Sequence, residues 1–319
     1  MADSPSPTAP TPVYPKAEFK RLHVIINPAA GQDRPFLQAM NTAFSEAGIE
    51  WDIFLTKKLG DGKRLAQEAV KAGADVVAAY GGDGTVGEVA TGLVGSDVPL
   101  AIIPGGTANV MSVELGIPAD IPSAVSLICG NGVLRPVDMG QAGDSLFMLR
   151  ATVGYSADMT KMTGREEKNR LGNLAYILSA VRLLPNMQSV PYKLTLDGEV
   201  VEMPGTICYV ANSGSLGLPG VTLNAKMDIS DGLIDVVLIA AERIGAILQV
   251  AASAAGLTEL INHWQVREVT VEAEPSQTVE VDGEIVDPTP FTARVLPHAV
   301  RVVVPPPAPS ANGGADTTS

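Results

Sequence analysis

Along the first half of the chain, short apolar runs alternate with segments of helical period. Leu22–Ile26, Trp51–Thr56, Val76–Tyr80 and Leu100–Ile103 read as strands, the last two apolar throughout, as in strands covered on both faces. Between them, Phe36, Leu37, Met40, Phe44 and Ala47 fall on one helical face that stops at Gly48. Leu65–Ala72 gives a second helix closed by Gly73, and Val86, Val89, Ala90 and Leu93 mark a third. A helix from Val110 to Leu115 stops at Gly116, and Ser123–Cys129 is a further one. This alternation predicts a Rossmann-like α/β domain over residues 18–132, a parallel sheet with helices on both sides in three layers.

Near Gly130 the period changes from helical to twofold. Arg135–Gly140, Ser145–Val153, Tyr192–Leu196, Val200-Val201, Thr206–Ala211, Gly232–Ile239, Val266–Glu272, Thr278–Val281 and Ala299–Val304 read as strands, and Asp197-Gly198 as a hairpin turn. Two helices, Leu171–Leu184 and Ile244–Leu260, interrupt them. The pattern predicts a mostly-β sandwich domain over residues 133–304. Residues 1–17 and 305–319, rich in Pro, Ala, Ser and Thr, read as disordered tails.

Three of the four predicted parallel strands end in small-residue or glycine loops: Asn27-Pro28-Ala29-Ala30-Gly31, Gly81-Gly82-Asp83-Gly84-Thr85 and Pro104-Gly105-Gly106-Thr107-Ala108-Asn109. Loops leaving the carboxyl ends of parallel strands gather along one edge, where ligands bind. Strand, glycine loop and helix N-terminus together suit a phosphate, which takes free backbone N–H groups and the positive end of the helix dipole. Thr85 with Glu88 three residues on reads as a capping box for the third helix. Asp83 is the odd group, because a carboxylate repels phosphate; it makes sense holding Mg²⁺ or a water on it, or ordering the loop. Ordinary βα turns also use Gly and Asp, and one such loop alone does not decide.

These three motifs, with Glu88, resemble the diacylglycerol kinase catalytic domain, a family that holds bacterial lipid kinases and diacylglycerol, sphingosine and ceramide kinases. With the later motifs, the resemblance spans about residue 20 to 304. It implies a fold like that of NAD kinases and phosphofructokinases, which share the Gly-Gly-Asp-Gly-Thr loop, followed by a β-sandwich. It implies ATP as nucleotide, held by Asn27, Pro28, Ala29, Ala30 and Gly31, by Thr56 at a strand end, by Gly82, Asp83, Gly84, Thr85, Val86, Gly87 and Glu88, and by Thr107. Asp83 and Glu284 are the implied catalytic residues. Glu284, in Val281-Asp282-Gly283-Glu284, would be the general base that takes the proton of a lipid hydroxyl. Between Glu268 and Asp287 every charged residue is acidic, so a solvated acidic strand face is the competing reading of that segment. In Asp228-Ile229-Ser230-Asp231-Gly232-Leu233 the resemblance implies a structural Mg²⁺ on the Asp231 carboxylate and the carbonyls of Asp228 and Leu233; an Asp-Gly turn without metal is the alternative. Asp138 matches an aspartate near the family's cleft, and Gly154–Asp158 a segment before its connecting helix, both equally compatible with structural roles. Gln32, Val110 and Gly87 depart from the family pattern, where Lys or Arg, Asp and Asn are frequent.

Composition narrows the partners. At 319 residues with 46% hydrophobic side chains, the chain can fill two cores, and no apolar run approaches the ~20 residues of a membrane span. A net charge of −13 argues against nucleic acid and against broad attraction to anionic lipid. Cys129 and Cys208 lack metal spacing and read as free thiols of a reducing cytosol; the N-terminus lacks the regions of a signal peptide. Lys161, Arg165, Lys168 and Arg170 ahead of the apolar run Leu174–Leu178 would suit a lipid headgroup surface, although such a helix more often caps a sandwich. The expectation is an ATP- and Mg²⁺-dependent lipid kinase, cytoplasmic, touching a membrane peripherally and transiently to reach its lipid, with a homodimer left open. The alternatives are an NAD kinase-like enzyme and a nucleotide- or lipid-binding regulator without turnover.

Overall fold

The computed structural model describes residues 13–30, 36–154, 189–218, 221–222, 227–240 and 261–307. The first lobe runs β1 (Arg21–Ile26), α1 (Phe36–Glu46), β2 (Glu50–Leu55), α2 (Asp61–Lys71), β3 (Val76–Gly81), α3 (Asp83–Leu93), β4 (Leu100–Pro104), α4 (Val110–Glu114) and α5 (Ile121–Ser126). Its four strands pair in parallel in the order β2-β1-β3-β4. All of β3 and β4 is buried, as their uninterrupted apolar runs require. Helix α1 packs on α5, and α2 on α3. Right-handed crossovers from this strand order place those two pairs on opposite faces of the sheet. Because the chain leaves β1 first toward β2 and then returns past it to β3, the strand order reverses between β1 and β3, the place where open α/β sheets bind ligands.

The second lobe comprises β5 (Val133–Ala142), β6 (Ser145–Phe147), β7 (Arg150–Val153), β8 (Val190–Leu196), β9 (Glu199–Gly205), β10 (Ile207–Ala211), β11 (Ser215–Leu218), β12 (Val221–Thr222), β13 (Ile234–Ile239), β14 (Asn262–Val266), β15 (Glu268–Ala273), β16 (Val279–Val281), β17 (Glu284–Val286) and β18 (Phe291–Val304). An antiparallel sheet β14-β13-β10-β7-β16-β17 faces strands β5, β6, β8, β15 and the first half of β18 across a core of Phe147, Leu194, Val236, Val271 and Ala293. Asp197 and Gly198, both at positive φ, make the expected two-residue turn between β8 and β9.

Several predicted strands resolve differently. Ser145–Val153 is two strands in two sheets, broken at Met148-Leu149, whose N–H groups bond to the Asp282 carboxylate instead of a neighbouring strand. The run around Val266 likewise splits, with β14 in one sheet and β15 in the other. The predicted helices Leu171–Leu184 and Ile244–Leu260, and the Tyr155–Asp158 part of the segment after Gly154, lie outside the described residues.

The largest departure is β18. Sequence period marks only Ala299–Val304, yet the strand begins at Phe291 and serves both lobes. Ala293 and Val295 lie in the sandwich core, while Val300, Val302, Val303 and Val304 lie in the core of the first lobe. Val302 pairs in parallel with Leu100 of β4, so the last strand extends the parallel sheet. The register shifts between Leu296 and Val300, where His298 takes a positive φ. The fully buried Asp138 carboxylate holds that bulge, accepting from His298 N at 2.6 Å and from Gly232 N at 2.6 Å. This gives Asp138 its structural role.

Helices α2 and α3 approach closely enough that a Cβ on Gly92 would lie 2.4 Å from the Lys63 carbonyl oxygen and 2.7 Å from Ala66 Cβ. Ala is favoured over Gly within a helix by roughly 1 kcal/mol, but overpacking against backbone costs ~1–3 kcal/mol and forces α3 away from α2. Gly92→Ala is expected to lower stability in urea unfolding; a variant at least as stable as the parent would contradict the close approach.

Candidate functional site

The loops at the carboxyl ends of the four parallel strands gather as the topology demands. Thr56 N donates to the Ile26 carbonyl, Asn27 N to Tyr80 and Gly105 N to Gly81, so each loop leaves its strand tied to the next. Asn27 Oδ1 accepts from Ala29 N in a tight local turn, and Asn27 Nδ2 donates to Thr85 Oγ1 at 3.1 Å, joining the first loop to α3. The second and third loops pass with their backbones in contact. A Cβ on Gly106 would lie 2.5 Å from Gly82 Cα, so only glycine permits the crossing. Asn109, at positive φ, closes the third loop by accepting from Gly106 N and donating to Gly106 O. Thr107 is exposed on that loop, and Gly31 and Gln32 lie outside the described residues.

Helix α3 starts at Asp83 with Gly82 as its N-cap and no side-chain cap, so the expected capping box is not formed. Thr85 is buried inside the first turn with its hydroxyl on Asn27. Glu88 points away from its own N-terminus and accepts from Gly60 N at 3.0 Å and Gly62 N at 2.7 Å, where α2 begins. Its carboxylate therefore satisfies the free donors of a different helix. The Thr56–Gly60 segment is fixed from its other side by Asp61, which accepts from Lys57 N and Lys58 N and pairs with Arg64. Those backbone N–H groups and the guanidinium hold the Asp61 carboxyl at about 2. Asp61 was not among the residues singled out from sequence.

Asp83 Oδ1 accepts from Met111 N at 3.1 Å, tying the start of α3 to α4. Burial raises its carboxyl above the ordinary range, opposed by the amides at the start of α4 and by the positive charge of Arg150. Of the roles open to Asp83, ordering the loop is thus realised, and a desolvated carboxylate beside an anion cradle also fits a divalent cation.

The second lobe meets α3 at Gly87. Asp83 and Gly87 are four residues apart and share a helix face. Opposite Gly87 stands Asp282, whose Oδ2 lies 3.7 Å from the position a Cβ there would take. Asp282 and Gly283, both at positive φ, form the turn between β16 and β17. The Asp282 carboxylate accepts from the N–H groups of Met148, Leu149 and Arg150. Burial nonetheless raises its carboxyl to about 6, against the pull of those amides and of Arg150. Glu284 opens β17 on the far side of the turn, its backbone paired with Val281 and its side chain exposed. The structure thus brings the Asp-Gly-Glu turn against α3 through Asp282.

Arg150, first residue of β7, was also missed from sequence. The signal was a lone cation inside an otherwise apolar strand run. Its guanidinium donates to the Ser215 carbonyl at 2.8 Å and lies 6.0 Å from the centre of the Tyr209 ring. Ser215 N and Ser213 Oγ donate in turn to Glu114 of α4, so this corner links the lobes.

At the expected metal site, Asp231 Oδ1 accepts from Leu233 N and Oδ2 from Gln265, while Asp228 pairs with Arg135. The Asp228 carbonyl faces Asp231 N at a long 3.4 Å. Burial, then the charges of Asp235, Asp228 and Asp138, raise the Asp231 carboxyl. Among the described residues no cluster of three His, Cys, Asp or Glu forms a ligand set. One crowded carboxylate with backbone carbonyls is an oxygen donor set of the kind Mg²⁺ takes.

The Asp282 shift has a consequence for stability. The folded carboxyl keeps its proton up to about 6, whereas the unfolded one loses it near 3.8, so folding binds a proton in between. The stability that this group contributes is complete below the lower value and is lost as pH rises through about 6. The melting temperature of wild type minus that of Asp282→Asn is expected to fall from pH 4 to pH 6.5, and a pH-independent difference would contradict the shift.

Residues 21–142 match the diacylglycerol kinase catalytic domain, and residues 150–304 the YegS C-terminal NAD kinase beta sandwich-like domain. The chain is 30% identical over 290 residues to a Pseudomonas aeruginosa protein named probable lipid kinase YegS-like, covering 90% of this chain and 94% of that one. It is 29% identical over 296 residues to a protein of Bacillus subtilis named diacylglycerol kinase, covering 90% and 97%. A crystal structure of a diacylglycerol kinase from Bacillus anthracis superposes with a TM-score of 0.77 at 29% identity, covering 91% of this chain and 99% of that one. With the paired glycine loops, the Asp-Gly-Glu turn against α3 and both domain matches in hand, the chain belongs to the diacylglycerol kinase catalytic-domain family of lipid kinases.

Proposed function

We propose that this protein transfers the γ-phosphoryl group of ATP to the hydroxyl of a lipid, of the diacylglycerol or sphingoid kind, presented at a membrane surface. The observation that carries the reading is the meeting of two halves at one helix. The N–H groups of Asp83, Gly84 and Thr85 precede the first helical bond, from Val86 N to the Gly82 carbonyl, and stand at the reversal of strand order. The Asp282–Glu284 turn abuts the same helix one turn further along.

In this reading the loops of Asn27–Gly31, Thr56, Gly82–Glu88 and Thr107 hold the nucleotide. Backbone N–H groups at the start of α3 take phosphate oxygens, and Glu88 acts at one remove by fixing the loop that carries Thr56. Glu284 accepts the proton of the lipid hydroxyl as its oxygen attacks the γ-phosphorus and the bond to the β,γ-bridging oxygen breaks. Asp83 would hold Mg²⁺, directly or through water, and the ion when bound supplies positive charge to the phosphates. A second, structural Mg²⁺ would sit on Asp231 with the carbonyls of Asp228 and Leu233. No helix among the described residues is long and apolar enough to cross a membrane.

Incubation with γ-labelled ATP, Mg²⁺, NAD and mixed micelles of diacylglycerol, phosphatidylglycerol and sphingoid base is expected to put label into the organic phase. Loss of a general base typically costs 10²–10⁴-fold, so Glu284→Gln should fall by about that factor, and Asp83→Ala should lose turnover with it. Label in NADP would instead make this an NAD kinase, and label in neither a regulator; unchanged turnover in both variants would remove the site assignment.

A further inference from the structure

Phosphoryl transfer needs positive charge at the transferring group, because its three outer oxygens carry the charge of the transition state. The residues described so far on the side of the cleft opposite the glycine loops are acidic: Asp282 against Gly87, and Glu284 beyond it. Arg150 is the exception. Its backbone N–H bonds to Asp282 Oδ1 at 2.9 Å, which anchors its Cα beside the turn. Its guanidinium is carried toward the other lobe, to the carbonyl of Ser215, whose own N–H is bonded to Glu114 of α4. From there its charge acts on both Asp83, at the start of α3, and Asp282. Among the described residues it forms an ion pair with neither, and one of its five N–H donors is engaged, by the Ser215 carbonyl. A guanidinium that spans from the Asp282 turn to the α4 corner, whose Met111 amide holds Asp83, and that has one donor engaged among the described residues, leaves its planar fork for an anion in the cleft.

We propose that Arg150 is a catalytic residue, its guanidinium donating to the outer oxygens of the γ-phosphoryl group as it passes from ATP to the lipid hydroxyl. This rests on the lipid kinase reading above. In the step, the hydroxyl oxygen bonds to the γ-phosphorus, the bond to the β,γ-bridging oxygen breaks, the hydroxyl proton goes to Glu284, and ADP leaves. Arg150 keeps all its protons throughout. Tyr209, beside its guanidinium on β10, and the Ser215 carbonyl orient the fork before the nucleotide arrives.

The test compares Arg150→Gln and Arg150→Lys with wild type in turnover, in affinity for ADP and for the non-hydrolysable triphosphate AMPPNP, and in melting temperature. The expected result for Arg150→Gln is a kcat reduced by 10²–10³-fold, with ADP affinity and melting temperature unchanged and AMPPNP affinity reduced about tenfold, since ADP lacks the phosphate that Arg150 touches. Arg150→Lys, which keeps the charge and loses the fork, should fall between. A kcat within threefold of wild type in Arg150→Gln would overturn the proposal. So would ADP and AMPPNP affinities falling together, with or without a drop in melting temperature, because that is the mark of a strut. Should Arg150→Gln fail to fold, the same comparison in Arg150→Lys decides. If wild type labels no lipid at all, the functional reading falls, while the ADP and AMPPNP arms still decide whether Arg150 meets a third phosphate.

Discussion

A buried carboxylate at the junction of the lobes sets the geometry on which everything else rests. Asp138 sits on β5 with no exposure to solvent, and its two oxygens reach the amides of His298 and Gly232. A buried charge is tolerated only when hydrogen bonds replace its water. Those two amides do so, and the arrangement pins the bulge that lets β18 leave the sandwich and enter the parallel sheet. Asn212 adds to the same joint by donating to the Asp138 carbonyl and to that of Met148. Across the bulge four steps along β18, from Leu296 to Val300, face two along β5, from Met139 to Val137, so the strand accommodates two extra residues at the point where it passes from one core to the other.

The same economy of backbone amides recurs through the site. Four carboxylates, Asp61, Asp83, Glu88 and Asp282, accept from main-chain N–H groups of segments that cannot pair with a strand or helix of their own. Each turns a loop that would otherwise be loose into a fixed part of the wall. The outcome differs with the balance between donors and desolvation. Asp61, well supplied with donors and Arg64, is a stronger acid than usual, whereas Asp83 and Asp282 are weaker ones because desolvation outweighs their amides.

The parallel sheet was legible from period alone, because β3 and β4 are apolar throughout and the loops after them carry glycine where backbones touch, as Gly82 and Gly106 do. The second lobe was legible as strands, but not their division between sheets. Met148 and Leu149 look like any other apolar pair in a strand, and only a partner more than a hundred residues away takes their amides. Glu88 shows the limit of local motifs. Its spacing from Thr85 satisfied the pattern of a cap, yet glycine at position 62 leaves room for its carboxylate at the neighbouring helix, and the tertiary bond won. Arg150 and Asp61 act through their placement in three dimensions, which no spacing along the chain encodes.

The two-way membership of β18 also bears on how the chain acquires its structure. The open edge of β4 is covered by a strand about two hundred positions later, so a growing chain that has emerged through α5 holds a sheet whose border is still bare. Contacts so distant in sequence are slow to form, and a bare apolar edge invites pairing with other chains in the meantime. The parallel sheet of the first lobe is therefore complete only once the last strand of the second has been made, and the two lobes share that strand.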